Sequence, residues 1–162
     1  MHRRMMRLFL FVVAVGVVIG LLLPGSKPAP AVAAAPGSPR EVVLTRGSSG
    51  HFFTRAHVNG KPGVKFIVDT GASIVALTVD DARKIGVQVD PSKFEIIGEG
   101  ASGAVRGQKV MLDSVDVDGI RVENVRGVIL ESSTLSLLGQ SYLGSVNQVS
   151  IAGDYLSLKD SG

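Results

Sequence analysis

From Glu41 onward, apolar residues come in short runs separated by turn-forming residues, the pattern of an all-β domain. Residues 51–58 (HFFTRAHV) precede Asn59-Gly60-Lys61-Pro62-Gly63, and VKFIV follows at 64–68, which predicts a hairpin with a glycine-rich turn. Residues 110–117 (VMLDSVDV) meet Asp118-Gly119 and then IRVENVRGVIL at 120–130, a second hairpin. A last strand is expected at 155–159 (YLSLK). Two short helices interrupt the strands. Thr78 can cap a helix whose first turn carries Asp80 and Asp81, favoured there by the helix dipole, and Gly86 stops it. Tyr142, Leu143 and Val146 fall at helical spacing and predict a helix over 140–146. No internal repeat is visible.

The N-terminal pattern is different. Arg3, Arg4 and Arg7 flank an uninterrupted apolar run, Leu8 to Leu23. As a helix it would span roughly 24 Å, near the length a bilayer core requires. Residues 1–7 then form a basic cytoplasmic flank, 8–23 a transmembrane anchor or signal segment, 24–40 a linker and 41–162 the folded domain. The linker, PGSKPAPAVAAAPGSPR, holds five of the seven prolines and reads as an extended tether. The apolar run is long for a signal peptide, which favours an uncleaved anchor. The alternative is cleavage near Ala29-Pro30-Ala31 or Ala31-Val32-Ala33, with secretion. Either way the basic flank stays inside and the domain is exported.

This division changes the meaning of the net charge of +3. From Arg40 onward there are 13 Lys and Arg against 14 Asp and Glu, a net of −1, so the basic excess is no argument for nucleic-acid binding. The absence of cysteine excludes disulfides, thiol nucleophiles and cysteine zinc sites.

One acid stands out. Phe66-Ile67-Val68 is apolar throughout and ends on Asp69-Thr70-Gly71-Ala72-Ser73. A lone Asp at a strand end usually holds a turn. Here it emerges from a buried layer, beside a glycine that permits close approach and two small residues. Leu135-Ser136-Leu137-Leu138-Gly139 repeats the theme of an apolar run ending in glycine before a helix.

This combination resembles the retropepsin-like aspartic proteases, in particular a membrane-anchored bacterial branch, over nearly all of the exported part. Asp-Thr-Gly-Ala-Ser matches the family's catalytic element, and Leu137-Leu138-Gly139 its second element. Gly100-Ala101-Ser102-Gly103 stands where the family carries its flap tip, with Ser102 in place of the usual Asn and Glu99 adding a charge. The resemblance implies a closed β-barrel or sandwich with one or two short helices behind an N-terminal transmembrane helix. It implies a peptide or protein substrate, cleaved by a water that a pair of carboxylates sharing one proton activates. One Asp-Thr-Gly without a repeat then requires a C2 homodimer, each subunit bringing its Asp69. Thr70 would bond across the axis, and Gly71 would present backbone to the substrate or carboxylate. Leu137, Leu138 and Gly139 would support the loop, and residues 98–104 would close over substrate. No metal or organic cofactor and no nucleic acid is implied. Activity would rise at mildly acidic pH. The implied location is the bacterial inner membrane, N-terminus cytoplasmic and protease domain periplasmic. The competing reading is an exported interaction module of the same fold without chemistry.

Other motifs carry less. Residues 114–119 brush against a calcium-loop pattern, but Val125 falls where a bidentate Glu is needed. Gly98, Gly100 and Gly103 spell G-x-G-x-x-G with no βαβ unit to use it. His51 and His57, six apart in a predicted strand, lie too far apart to chelate one metal.

Overall fold

The computed structural model describes residues 39–100 and 103–161. The anchor or signal segment, and nearly all of the linker, lie outside the described residues. Among those described, no helix is long and apolar enough to cross a membrane.

Among the described residues, ten strands form two sheets. The larger runs β2 (Phe53–Val58), β3 (Lys61–Val68), β8 (Ser136–Leu138), β4 (Val75–Thr78), β7 (Ile120–Leu130), β6 (Gly103–Val117), β5 (Glu95–Gly100). A further pairing of β2 with β6, His57 opposite Asp116, closes six of these strands into a barrel and leaves β5 outside on β6. The smaller sheet is β1 (Arg40–Thr45), β10 (Tyr155–Asp160), β9 (Gln148–Ala152). All-β architecture with few short helices therefore stands as expected.

Both hairpins form, for the local reason the sequence suggests. Asn59 and Gly60 sit at φ 51° and 71°, Asp118 and Gly119 at 48° and 92°. Positive φ at both central residues is what a two-residue turn between twisted strands needs. The first turn is thus tighter than the five residues predicted. β3 starts at Lys61 and takes up the difference with a register shift opposite Ala56–Val58. At the second turn the Asp116 carboxylate accepts the Gly119 N–H at 2.7 Å, which explains the acid that imitated a calcium loop.

Helix α1 (Val79–Lys84) is capped by Thr78, whose hydroxyl accepts the Asp81 N–H at 3.0 Å. Gly86, at φ 78°, ends it. Helix α2 (Gln140–Leu143) is shorter than predicted. Beyond it Ser145 and Val146 bond back to Tyr142 and Leu143, so the chain continues as tight turns that keep Val146 buried without extending the helix.

The core draws on every layer. Phe66, Leu77, Leu112, Ile120, Ile129, Leu138, Leu156 and Leu158 are fully enclosed. Among the described residues, the core side chains come from Val42 to Leu158. Tyr142 is buried among them and donates its hydroxyl to the Ile120 carbonyl at 2.9 Å. Burial first, and then the Asp116 carboxylate, push its pKa upward.

Candidate active site

Asp69 leaves the barrel directly after β3. β8 runs parallel beside β3, with Val68 in register with Leu138. The ladder extends by one bond, from the Asp69 N–H to the Leu138 carbonyl at 3.1 Å. The Asp69 backbone is therefore anchored to the sheet while its side chain, half-buried, projects beyond it. Its Oδ1 accepts the Gly71 N–H at 2.9 Å, and the Ala72 N–H reaches the Asp69 carbonyl at 3.3 Å. These bonds fix the carboxylate against its own turn.

The loop is then held from below by α2. Gln140 donates its backbone N–H to the Ala72 carbonyl and its side-chain amide to the Thr70 carbonyl, each at 2.8 Å. Gly139 lies so close that an added Cβ would collide with the Ile74 carbonyl and come within 2.8 Å of the Ala72 carbonyl. The second glycine element has a steric reason: only a residue without a side chain lets the two backbones meet.

Three hydroxyls complete the frame. Ser141 Oγ accepts the Val75 N–H at 2.9 Å and donates to the Arg126 carbonyl at 2.7 Å, bridging the start of β4 to β7. Ser136, buried, accepts the Thr78 N–H at 3.1 Å and donates to the Asp81 carboxylate at 2.7 Å. With the Thr78 cap, this locks β8 to the start of α1. Sequence reasoning missed Ser136, Gln140 and Ser141. A serine or glutamine beside a short apolar run carries no signal of its own, and only the crossing of β8 between β3 and β4 gives these side chains backbone groups to bond.

The structure thus brings together Asp69, Thr70, Gly71, Ala72, Leu138 and Gly139. Leu137 lies in the same layer, opposite Ala76 of β4. Ser73 is exposed. The residues predicted as a flap form a hairpin: β5 and β6 pair as far as Gly100 opposite Gly103, while the tip, Ala101 and Ser102, lies outside the described residues.

Thr70 is exposed and sits on the rim of a concavity of about 430 Å³, whose apolar lining is Leu143, Val146, Val149 and Ile151. Two of these belong to β9, which pairs only with β10 and so presents a free edge among the described residues. Its sequence, QVSIA, has neither charge nor proline, the usual devices that blunt an edge.

Residues 54–145 match the family model for gag-polyprotein putative aspartyl proteases. The crystal structure of a retropepsin-like aspartic protease from Rickettsia conorii superposes with a TM-score of 0.65 at 34% identity, covering 76% of this chain and 92% of that one. An uncharacterized protein in the cobV 5′ region of a Sinorhizobium species is 37% identical over 123 residues. An uncharacterized protein of Rickettsia prowazekii (strain Madrid E) is 37% identical over 119 residues. These alignments cover 75% and 73% of the chain but 52% and 51% of the relatives, so the chain spans about half the length of the curated relatives it matches.

Proposed function

Because the chain belongs to the retropepsin-like aspartic protease family, we propose that it is an aspartic endopeptidase acting as a homodimer, with Asp69 of each copy contributing one half of the catalytic pair. The observation that carries this reading is Asp69 itself. Its backbone is tied to β8, its loop is clamped by Gly139 and Gln140, and its carboxylate is presented beyond the sheet. A carboxylate needed only for a turn requires no such second layer of support.

One acid does not suffice for the chemistry. Peptide hydrolysis needs a base to take a proton from water and an acid to donate one to the substrate carbonyl. Two carboxylates about 3 Å apart share a proton and supply both; the aspartic proteases are the standard instance of that rule. With one Asp-Thr-Gly in these 162 residues, the partner carboxylate would come from a second copy related by a twofold axis. Thr70, exposed beside Asp69, is the group that would bond across that axis. The uncharged β9 edge and the apolar concavity next to Thr70 are the surfaces that would meet. The β5–β6 hairpin would cover the bound peptide. Residues 8–23 would hold the domain at the outer face of a bacterial inner membrane through the 24–40 tether, or be cleaved to release it.

The test pairs chemistry with assembly. Asp69→Asn should lower peptide cleavage by about 10²–10⁴-fold or more while sedimentation still finds a dimer, since the base is lost and the interface is not. Equal cleavage by mutant and wild type would remove Asp69 from catalysis. A strict monomer at high concentration would favour the alternative, an interaction module that uses the fold without chemistry.

A further inference from the structure

Residues 40–162 have a net charge of −1, yet the outer face of the β2–β3 hairpin is basic. Inward positions of these strands are Thr54, Ala56, Val58, Val64, Phe66 and Val68, all buried. Outward, Arg55 and Lys65 stand directly opposite each other in the antiparallel register. Like charges in that position destabilise a strand pair. The side chains splay apart: Arg55 donates to the Gly63 carbonyl at 3.4 Å, toward the turn, while the Lys65 ammonium lies 4.5 Å from the centre of the Phe53 ring. His51 and His57 flank the face, His51 edge-on to Phe53, while Lys61, exposed at the tip of the hairpin, is in register with inward Val58 and lies off this face. Among the described residues, no carboxylate forms an ion pair with Arg55, Lys61 or Lys65. The one acid in register with this face is Asp116, opposite His57, and it is engaged by the Gly119 N–H.

Nothing in the fold calls for this juxtaposition, so its cost is offset elsewhere. We propose that the outer face of the β2–β3 hairpin docks on the anionic headgroups of a phospholipid bilayer, with Arg55 and Lys65 facing phosphate and Phe53 and Ile67, the neighbouring pair on the same face, meeting the interface beside them. The cations match anionic lipid in charge, and the half-buried Phe53 and Ile67, paired across the strands, supply apolar contact of the kind interfacial surfaces use. The proposal rests on the proposed tethering in one respect: 17 linker residues reach at most about 60 Å, which is enough for this face to meet the bilayer. Docking would orient the domain on the membrane without contacting Asp69.

The test uses residues 35–162, which form a compact unit and lack the apolar run. Vesicles of phosphatidylglycerol and phosphatidylcholine should cosediment with this fragment, vesicles of phosphatidylcholine alone should not, and added salt should release it. Arg55→Glu with Lys65→Glu should weaken the partition by about tenfold or more, whereas Arg83→Glu with Arg126→Glu, an equal change in net charge on other exposed residues, should leave it nearly intact. Arg55→Gln with Lys65→Gln gives an intermediate loss and guards against misfolding of the reversal. Equal binding to both vesicle types, or equal loss in both reversal pairs, overturns the proposal. Tighter binding to a polyglutamate peptide or to duplex DNA than to anionic vesicles overturns it too, in favour of those partners. Failure of the anchor is a separate observation: the full chain would wash off membranes in alkaline carbonate while the fragment still bound anionic vesicles.

Discussion

The loop at Asp69 and the hairpin of β5 and β6 are both rich in glycine, and the glycines answer opposite demands. At Gly139 there is no room: a methyl group would meet the Ala72 and Ile74 carbonyls, so glycine allows one backbone to press on another. At Gly98 and Gly103 there is nothing within 4 Å of an added Cβ. Gly103 is instead selected by its φ of 106°, which other residues rarely adopt. The supports differ likewise. The loop is bonded to buried Leu138 of β8 and to Gln140 of α2. β5 pairs on one side only, with a register shift at Ile96–Gly98, and Ile96 is 70% exposed. A held carboxylate and a free-standing hairpin are what the proposed hydrolase would need to close over its substrate, and the same residue type serves both.

Substitution at each glycine tests that contrast, and Gly139→Ala should have the largest effect. Overpacking against backbone costs about 1–3 kcal/mol or more. In a domain of this size that lowers the melting temperature by about 10 °C, readable by calorimetry, with cleavage lost in parallel. An unchanged melting temperature would mean that the loop is not clamped at all. Ser136→Ala comes next. It leaves the buried Thr78 N–H and the Asp81 carboxylate short of a partner, at about 1–3 kcal/mol, seen as a lower urea midpoint with an unchanged slope.

Tyr142 sharpens the picture through pH. Its folded-state pKa is raised above the ordinary 10.0, by burial first. The unfolded chain therefore releases this proton near pH 10 while the folded one keeps it, and stability falls as pH rises beyond that point. Tyr142→Phe should cost about 1 kcal/mol at neutral pH, for the bond to Ile120, and should flatten the alkaline decline. Melting curves between pH 8 and about 11 on both proteins read the two effects separately. The smallest change belongs to Gly98→Ala, within about 0.5 kcal/mol, because the new methyl meets open space. A loss as large as that at Gly139 would erase the distinction between the two regions.

What could be read in advance was local. Asn59-Gly60 and Asp118-Gly119 announce their turns because positive φ is a property of two residues, and Thr78 announces a helix because a cap spans three. Asp69-Thr70-Gly71 was legible as a motif. β1, β4, β5, β8 and β9 were not. β8 has three residues, too few to show any period, and β4 is buried along its whole length, so nothing alternates. The helix at 140–146 was overextended because turns with i to i+3 bonds keep nearly the helical spacing of Tyr142, Leu143 and Val146.

Chain order alone established a β-rich unit, its two hairpin turns, its first helix cap and the single acid at the end of an apolar run, since each follows from the preferences of neighbouring residues or from their count. The tertiary structure alone decided that β8 threads between β3 and β4, that Gly139 must lack a side chain, that Gln140, Ser136 and Ser141 brace the frame around Asp69, and that Arg55 faces Lys65. Those pairings join residues up to 70 positions apart, from the Gln140 amide to the Thr70 carbonyl, and such distances are closed by burial of the common core rather than by anything a short window of sequence contains.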